Sequence, residues 1–192
     1  MTQPQGRQIH LCVVIGSTRE GRFGPTVARW FVEQVEHAGA FDLAIIDLAQ
    51  IEVPMEPLTS HEHAVDLRAR IAAADALVIV TPEYNHSFPG TLKNAIDLAR
   101  EEWFAKPVAF VSYGGMAGGL RAVEHLRLVF AELHAITIRD TVSFHNAHSS
   151  FDADGQPLDK HGSQEAATKM LRQLSWWARA LLAARTASPY PV

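Results

Sequence analysis

Short, continuously apolar runs alternate with amphipathic stretches along nearly the whole chain. Apolar residues at helical spacing follow each run, so the pattern predicts alternating strands and helices. The runs do not alternate strictly between apolar and polar residues, which indicates a parallel sheet covered by helices on both faces. The predicted strands are Ile9–Ile15, Phe41–Leu48, Ala76–Val80, Pro107–Ser112 and Ala135–Phe144. The predicted helices are Gly24–Ala38, His61–Ala74, Phe88–Arg100, Gly118–Leu133 and Ser163–Ala184.

Length and charge limit the possible functions as well as the fold. A chain of 192 residues fits one domain over residues 1–192, with residues 1–7 and 186–192 as peripheral tails. The formal net charge of −4 provides no basic field for nucleic acid or for an anionic membrane. No run approaches the roughly 18 apolar residues of a membrane span, and the polar N-terminus lacks the apolar core of a signal peptide. We therefore expect a cytoplasmic protein.

The single cysteine, Cys12, lies inside the first apolar run. It has no partner for an internal disulfide. A small buried hydrophobic side chain is the favoured interpretation, ahead of a redox or nucleophilic role.

The loop Gly16–Thr26 has the features of a phosphate site. Right-handed crossovers favour an open doubly wound sheet, and such sheets bind ligands beyond the carboxyl ends of their strands. Three glycines, hydroxyl groups and free N–H groups at a helix start favour an anion, and Arg19 and Arg22 would add charge-assisted hydrogen bonds. The loop matches neither G-x-x-x-x-G-K-[ST] nor G-x-G-x-x-G, which disfavours an ATPase and a dinucleotide-binding loop. An ordinary polar turn with an N-cap hydroxyl is the alternative.

The loops after the third and fourth strands favour a flat ligand. In the loop Thr81–Gly90, Tyr84 and Asn85 offer a wall and an amide partner to a planar heterocycle. In the loop Ser112–Gly119, four of eight residues are glycine, which is typical of a backbone that lies against a ligand or adopts positive φ. The alternatives are aromatic side chains that merely pack on a helix and a third loop that is merely flexible.

Three motifs together resemble the NADPH-dependent FMN reductase family, which includes quinone, azo-dye and chromate reductases. They are G-S-T-R after the first strand, T-P-E-Y-N-H-S-F-P-G-T-L-K-N-A-I-D from Thr81 to Asp97, and S-Y-G-G-M-A-G-G-L-R from Ser112 to Arg121. The resemblance covers roughly residues 9–182. It implies a flavodoxin-like α/β fold, a doubly wound five-stranded parallel sheet of order 2-1-3-4-5 with helices on both faces. It also implies FMN as cofactor and NADPH or NADH as electron donor.

The resemblance also assigns FMN-binding residues, all in the three loops. Ser17 and Arg19 would bind the phosphate, with Arg22, Gly24 and Thr26 completing the loop. The isoalloxazine ring would be flanked by Pro82, Glu83, Tyr84 and Asn85. Its pyrimidine edge or the ribityl chain would be approached by Ser112, Tyr113, Gly114 and Gly115. Many relatives have S-x-R-x-x-S-x-N in the first loop, where this chain has Arg22 and Gly24 at the last two positions.

The mechanism implied by the resemblance needs no dedicated catalytic side chain, because the flavin carries the chemistry. NAD(P)H would give a hydride to flavin N5, and a small-molecule acceptor such as a flavin or quinone would then occupy the same face, in ping-pong turnover.

Family members are usually homodimers or homotetramers, which places the helix Phe88–Arg100 at a contact between subunits. A non-catalytic electron carrier is the main alternative, although the T-x-T-G-x-T loop and strongly acidic surface of such carriers are absent. A nucleotide or sugar-phosphate enzyme on the same fold is a third.

Two further groups of residues are assigned no function. His145, His148, Asp152 and Asp154 lie in a polar, turn-rich stretch, where solvated side chains are favoured over metal ligands. Asp152–Gly155 resembles the start of a calcium loop, but its twelfth position is Ser163 rather than Glu. We therefore predict no metal site. His86, next to Asn85, is interpreted as a loop residue rather than as a substrate ligand, and Trp176 and Trp177 as residues of core or oligomer packing.

Overall fold

The computed structural model describes residues 7–54 and 60–191. The strands are β1 Ile9–Ile15, β2 Phe41–Asp47, β3 Ala76–Pro82, β4 Pro107–Tyr113, β5 Ile136–Thr137 and β6 Val142–Phe144. The helices are α1 Gly24–Ala38, α2 Glu62–Ala73, α3 Gly90–Asp97, α4 Leu120–Glu132 and α5 Lys160–Ala187. Residues 1–6 of the predicted N-terminal tail and Val192 of the predicted C-terminal tail lie outside the described residues.

The sheet has the predicted order. Its strands run β2-β1-β3-β4-β5, with every neighbouring pair parallel, and β6 also pairs with β4. The predicted doubly wound, flavodoxin-like α/β fold is therefore confirmed. The register brings Ile15 opposite Val80 and Thr81 opposite Ser112. The carboxyl ends of β1, β3 and β4 consequently lie level at one edge of the sheet.

The fifth strand differs from the prediction, because Ala135–Phe144 forms two short strands rather than one. The carbonyl oxygens of Ile138 and Arg139 accept hydrogen bonds from the Arg127 guanidinium of α4, at 2.8 and 3.2 Å. The N–H of Asp140 donates to Gln173 of α5 at 3.0 Å. These backbone groups are satisfied by side chains instead of by β4, and the ladder is therefore interrupted between β5 and β6.

Alternate residues of the central strands enter two separate core layers. Leu11 and Val13 of β1 pack in the layer that contains α1 and α5, whereas Cys12 and Val14 pack in the layer that contains α2, α3 and α4. All seven residues of β3 and all seven of β4 are buried. The predicted continuous burial follows from this two-sided packing. Burial also raises the pKa of the Cys12 thiol to about 12, so the thiol is protonated at neutral pH. Among the described residues, no helix combines the length and the apolar character needed to cross a bilayer.

A buried lysine links the start of β4 to the end of α2. Lys106, just before β4, donates from Nζ to the carbonyl oxygens of Ile71 and Ala72 at 2.6 and 2.7 Å. These carbonyls belong to the last turn of α2, where a helix has no backbone donors of its own. Burial lowers the pKa of Lys106 to about 8.

We predict that Lys106→Met lowers the free energy of unfolding by about 1–3 kcal/mol at pH 7, because the Ala72 carbonyl loses the Lys106 donor and the Ile71 carbonyl keeps only the N–H of Ala74, at 3.2 Å. The folded pKa lies below the ordinary value of 10.5, so between about pH 8 and 10.5 the unfolded chain binds more protons at this site. The advantage of the wild type over the variant should therefore grow with pH in that window, by at most about 1.4 kcal/mol per pH unit. Urea unfolding at several pH values measures it.

The matched control is Lys160→Met, which removes an exposed ammonium whose nearest carboxylate, Asp152, lies 3.7 Å away. Its effect should stay within about 0.5 kcal/mol at every pH. A Lys106→Met protein as stable as this control would contradict the capping role.

Candidate functional site

The loops that follow β1, β3 and β4 meet at one cleft, whose volume is about 350 Å³. Eight of the predicted site residues line it: Arg19, Arg22, Pro82, Glu83, Tyr84, Tyr113, Gly114 and Gly115. Five do not appear in its wall: Ser17, Gly24, Thr26, Asn85 and Ser112. The second group lies beneath or beside the lining residues, and several of its members hold those residues in place.

The first loop presents a row of unpaired backbone donors. Its turn is closed by the N–H of Arg22, which donates to the carbonyl of Arg19 at 3.2 Å. Within the described part of the chain, the N–H groups of Thr18, Arg19, Glu20 and Gly21 donate to no backbone or side-chain acceptor. Successive free N–H groups just before a helix form a concavity that favours an anion.

The Arg22 guanidinium fastens this loop to the end of β2. Its Nη1 donates to the carbonyl of Ser17 at 2.7 Å and to Oδ1 of Asp47 at 2.6 Å, and Nη2 donates to Oδ2 of Asp47 at 2.7 Å. Burial alone would raise the pKa of the Asp47 carboxyl, but its hydrogen bonds with Arg22 and with the N–H of Ala49 hold that pKa below its ordinary value. The pair is therefore ionised at neutral pH.

A glycine allows the first and third loops to touch beneath the cleft. Tyr113 donates from its hydroxyl to Oγ of Ser17 at 3.0 Å, and both residues are buried. A Cβ atom on Gly24 would lie 2.4 Å from Oγ of Ser17 and 2.8 Å from the Tyr113 hydroxyl. Burial raises the pKa of the Tyr113 phenol well above its ordinary value, so this hydroxyl stays a donor. Gly24 is thus required by close packing.

The middle of the second loop is a tight turn. Tyr84 and Ser87 exchange backbone hydrogen bonds of 2.8 and 3.0 Å. The two residues between them, Asn85 and His86, have φ of +49° and +71°, as a type I′ turn requires. Asn85 is exposed at the tip of the turn. Across the cleft, the guanidinium carbon of Arg19 lies 3.6 Å from the centroid of the Tyr84 ring, a cation–π contact between the first and second loops.

Side chains also fix the second loop to α4 and order the third loop. Oε1 of Glu83 accepts a hydrogen bond from the Arg121 guanidinium at 2.9 Å. The hydroxyl of Ser112 donates to the carbonyl of Gly118 at 2.9 Å. Gly119 has φ of +83°, and a Cβ atom there would lie 2.6 Å from Cβ of Ser112. The third loop therefore follows a path that only glycine at position 119 allows.

A fourth loop, after β6, completes the cleft and was missed by the sequence prediction. Its residues Ala147 and His148 line the wall, and the His148 ring lies 4.9 Å from the ring of Phe23. The polar, turn-rich sequence around His148 predicts a solvated side chain with no function. Its position directly after a predicted strand could have identified it, because that strand also ends at the ligand-binding edge. Among the described residues, no three His, Cys, Asp or Glu side chains come together as a metal site.

A larger groove lies elsewhere and does not contain these groups. It has a volume of about 900 Å³ and is lined by the last turns of α1, the start of β2 and α5, including His37, Phe41 and Trp176. The cleft, in contrast, lies at the opposite end of α1, beside the loop that precedes its first residue. Trp176 is 64% exposed, so it does not pack in the core. The cleft brings together unpaired N–H groups, aromatic rings and glycines, and it is the candidate site.

Comparisons with known proteins identify relatives of this chain. The family model described as NADPH-dependent FMN reductase matches residues 9–149. The chain is 39% identical over 119 residues to an NAD(P)H-dependent FMN reductase of Schizosaccharomyces pombe, with 57% of this chain and 60% of the relative covered. It thus spans less than two thirds of that relative. An NAD(P)H-dependent FMN reductase of Pseudomonas aeruginosa is 34% identical over 178 residues, with 88% of this chain and 94% of the relative covered.

The fold is shared with a solved flavoenzyme. The structure of FerB, an NAD(P)H:(acceptor) oxidoreductase from Paracoccus denitrificans, has a TM-score of 0.72 to this chain at 22% sequence identity. The match covers 89% of this chain and 98% of that one. The predicted family resemblance is confirmed by the family model and by the sequence relatives, and the structural likeness adds agreement of the fold.

We predict that Gly24→Ala lowers the free energy of unfolding by about 1–3 kcal/mol, because the added methyl group collides with Ser17 and Tyr113. Gly90→Ala is the matched control: Gly90 also begins a helix, but a Cβ atom there meets nothing within 4 Å. The control should be neutral or slightly stabilising. Urea denaturation of both variants decides the matter, and equal stabilities would show that the close packing at Gly24 has no energetic role.

Proposed function

Since this chain belongs to the NADPH-dependent FMN reductase family, we propose that it binds FMN in the cleft and passes electrons from NADPH or NADH to flavins, quinones or similar acceptors. The observation that carries the proposal is the row of unpaired N–H groups from Thr18 to Gly21, in the loop that forms one wall of the cleft. A phosphate group needs several such donors at one point. The other walls offer what a planar ring needs, an aromatic side chain and glycine backbone.

The phosphate subsite would be built mainly from backbone. The N–H groups of the first loop supply the hydrogen bonds, and the dipole of α1 adds attraction for an anion. Arg19 supplies a positive charge that no carboxylate in the described residues neutralises. Ser17 would contribute through its backbone, because its hydroxyl is buried against Tyr113. Arg22, Gly24 and Thr26 would act by shaping the loop and the first turn of α1.

The ring would lie between the second and third loops. Pro82, Glu83, Tyr84 and Asn85 would flank it, and Ser112, Tyr113, Gly114 and Gly115 would approach its pyrimidine edge or the ribityl chain. The Glu83 carboxylate is engaged by Arg121, so Glu83 would contribute through its backbone. A Cβ atom on Gly115 would meet no protein atom within 4 Å. The protein itself therefore has room for a side chain at this position, and a glycine here would leave that room to the ligand.

The role of the protein in the reaction is binding and orientation. Bound FMN supplies a two-electron centre that accepts a hydride and releases electrons to a second substrate. The residues described above would hold the phosphate and provide a wall for the ring, and burial keeps the Tyr113 phenol neutral, without a dedicated acid or base. We further propose that the donor and the acceptor occupy the open part of the cleft in turn. Initial rates should then give the parallel double-reciprocal plots of ping-pong kinetics.

The assembly and location follow the family resemblance. We propose a cytoplasmic homodimer or homotetramer in which α3, the central part of the predicted helix Phe88–Arg100, contributes to the contact between subunits. Light scattering of the purified protein should give a mass of twice or four times that of the 21.1 kDa chain. A monomer at micromolar concentration would contradict the proposed assembly.

We predict that the protein stripped of flavin binds FMN with one site per chain, and that NADPH added anaerobically bleaches the absorbance of the bound oxidised flavin. Gly24→Ala should weaken FMN binding because the first loop is displaced, whereas Gly90→Ala should bind as the wild type does. Flavin fluorescence titration measures the affinity. A flavin that binds tightly but keeps its oxidised absorbance would favour an electron carrier over a reductase, and a protein that binds no FMN would remove both.

A further inference from the structure

Asp47, at the end of β2, belongs to none of the three loops, yet it makes the closest side-chain contacts of the first loop. Its two carboxylate oxygens accept from the two terminal nitrogens of Arg22 at 2.6 and 2.7 Å. Oδ1 also accepts from the N–H of Ala49 at 3.1 Å, in the turn that follows β2. The side chains are only 11% and 15% exposed for Asp47 and Arg22. The pair is therefore shielded from water, and each of its two side chains makes a further hydrogen bond to the backbone.

The two arginines of the first loop have different surroundings. Arg22 is neutralised by Asp47, and one of its terminal nitrogens also holds the carbonyl of Ser17 at 2.7 Å. Arg19 is exposed, its guanidinium lies over the Tyr84 ring, and it makes no ion pair among the described residues. A guanidinium that is paired bidentately has little net charge to offer a phosphate. Arg19 thus provides the charge of the loop, and Arg22 provides its shape.

We propose that Asp47 is a positioning residue for the phosphate subsite, acting through Arg22 on the backbone of Thr18–Gly21. The chain of contacts runs from the Asp47 carboxylate to the Arg22 guanidinium and from there to the carbonyl of Ser17, immediately before the four unpaired N–H groups. Arg22 is also the residue whose N–H closes the turn on the carbonyl of Arg19. The ion pair consequently holds both ends of the segment that presents the donors. This inference rests on the proposed function.

The contacts of Asp47 remain intact over the working range of pH. Although burial opposes ionisation, the hydrogen bonds with Arg22 and Ala49 keep the pKa of Asp47 below its ordinary value, and the hydrogen bond with Asp47 raises the pKa of Arg22. Neither partner changes its charge near neutral pH. The loop is therefore held in one shape near neutral pH.

The preference for FMN over riboflavin isolates this effect. The two compounds share the ring and the ribityl chain and differ only in the terminal phosphate. A change confined to the first loop alters the affinity for FMN and leaves the affinity for riboflavin unchanged. General damage to the fold or to the ring subsite weakens both. The ratio of the two dissociation constants therefore separates a positioning role from a merely structural one.

The experiment measures both dissociation constants by fluorescence titration of the full chain stripped of flavin, for the wild type and three variants. Asp47→Asn keeps the shape of the side chain and removes its charge, and Arg22→Lys cannot bridge the two carboxylate oxygens and Ser17 at once. Both should lower the preference for FMN about tenfold or more, the effect of losing one charge-assisted hydrogen bond. The matched control is Asp42→Asn, which removes an exposed carboxylate from the same strand, paired with His10 at 2.9 Å. It should leave the preference unchanged.

Every outcome decides the question. A loss of preference in Asp47→Asn and Arg22→Lys, with riboflavin binding unchanged, supports the positioning role. An unchanged ratio, or equal weakening of both ligands, overturns it while leaving the proposed function in place. Tighter FMN binding in Asp47→Asn would show that a released Arg22 binds the phosphate directly, and it too overturns the inference. A wild-type protein that binds neither compound overturns the proposed function together with the inference that rests on it.

Discussion

The level ends of the central parallel strands are the constraint on which the rest of this structure depends. Strands β1, β3 and β4 are covered by helices on both faces, so their backbone groups must be satisfied by neighbouring strands. The parallel ladders meet this requirement in a register that pairs Ile15 with Val80 and Thr81 with Ser112. Three loops of different sequence therefore leave the sheet side by side. The cleft is a consequence of this register, and the loops supply its chemistry.

Ionic contacts in this protein serve the geometry of the loops more than stability. Arg22 and Asp47 fasten the first loop, and Arg121 and Glu83 join the second loop to α4. Each pair lies partly out of water, where the cost of desolvation offsets much of the electrostatic attraction. What they provide is direction, because a guanidinium accepts only a few arrangements of its partners. Within the described residues, the N–H groups of Thr18–Gly21 have no protein acceptor, whereas the nearby Arg22 and Glu83 side chains are paired.

The site is better suited to binding a reactive cofactor than to supplying reactive side chains of its own. Three titratable groups in and beside it are restrained: Tyr113 is buried and neutral, and the Glu83 and Asp47 carboxylates are held by arginines. Such an arrangement suits a family in which the cofactor performs the electron transfer and the protein sets its position and surroundings. The glycines at positions 24 and 119 serve the same end, since each allows two segments to approach more closely than a side chain would permit.

The sequence by itself determined the succession of elements, the parallel doubly wound sheet and the three loops. These follow from local patterns: the length of an apolar run, the spacing of apolar residues in a helix and the clustering of glycines. The predicted bounds of β1 and α1 agree with the structure, since a buried strand and an amphipathic helix leave unambiguous periodicities. Only the tertiary structure decided that Ala135–Phe144 is divided, that Arg22 is paired with Asp47, and that His148 lines the cleft. Tyr113 and Ser17, which share a hydrogen bond, are 96 residues apart. Such pairings depend on where separate elements come to lie in space, and the periodicity of each element carries no record of its distant neighbours.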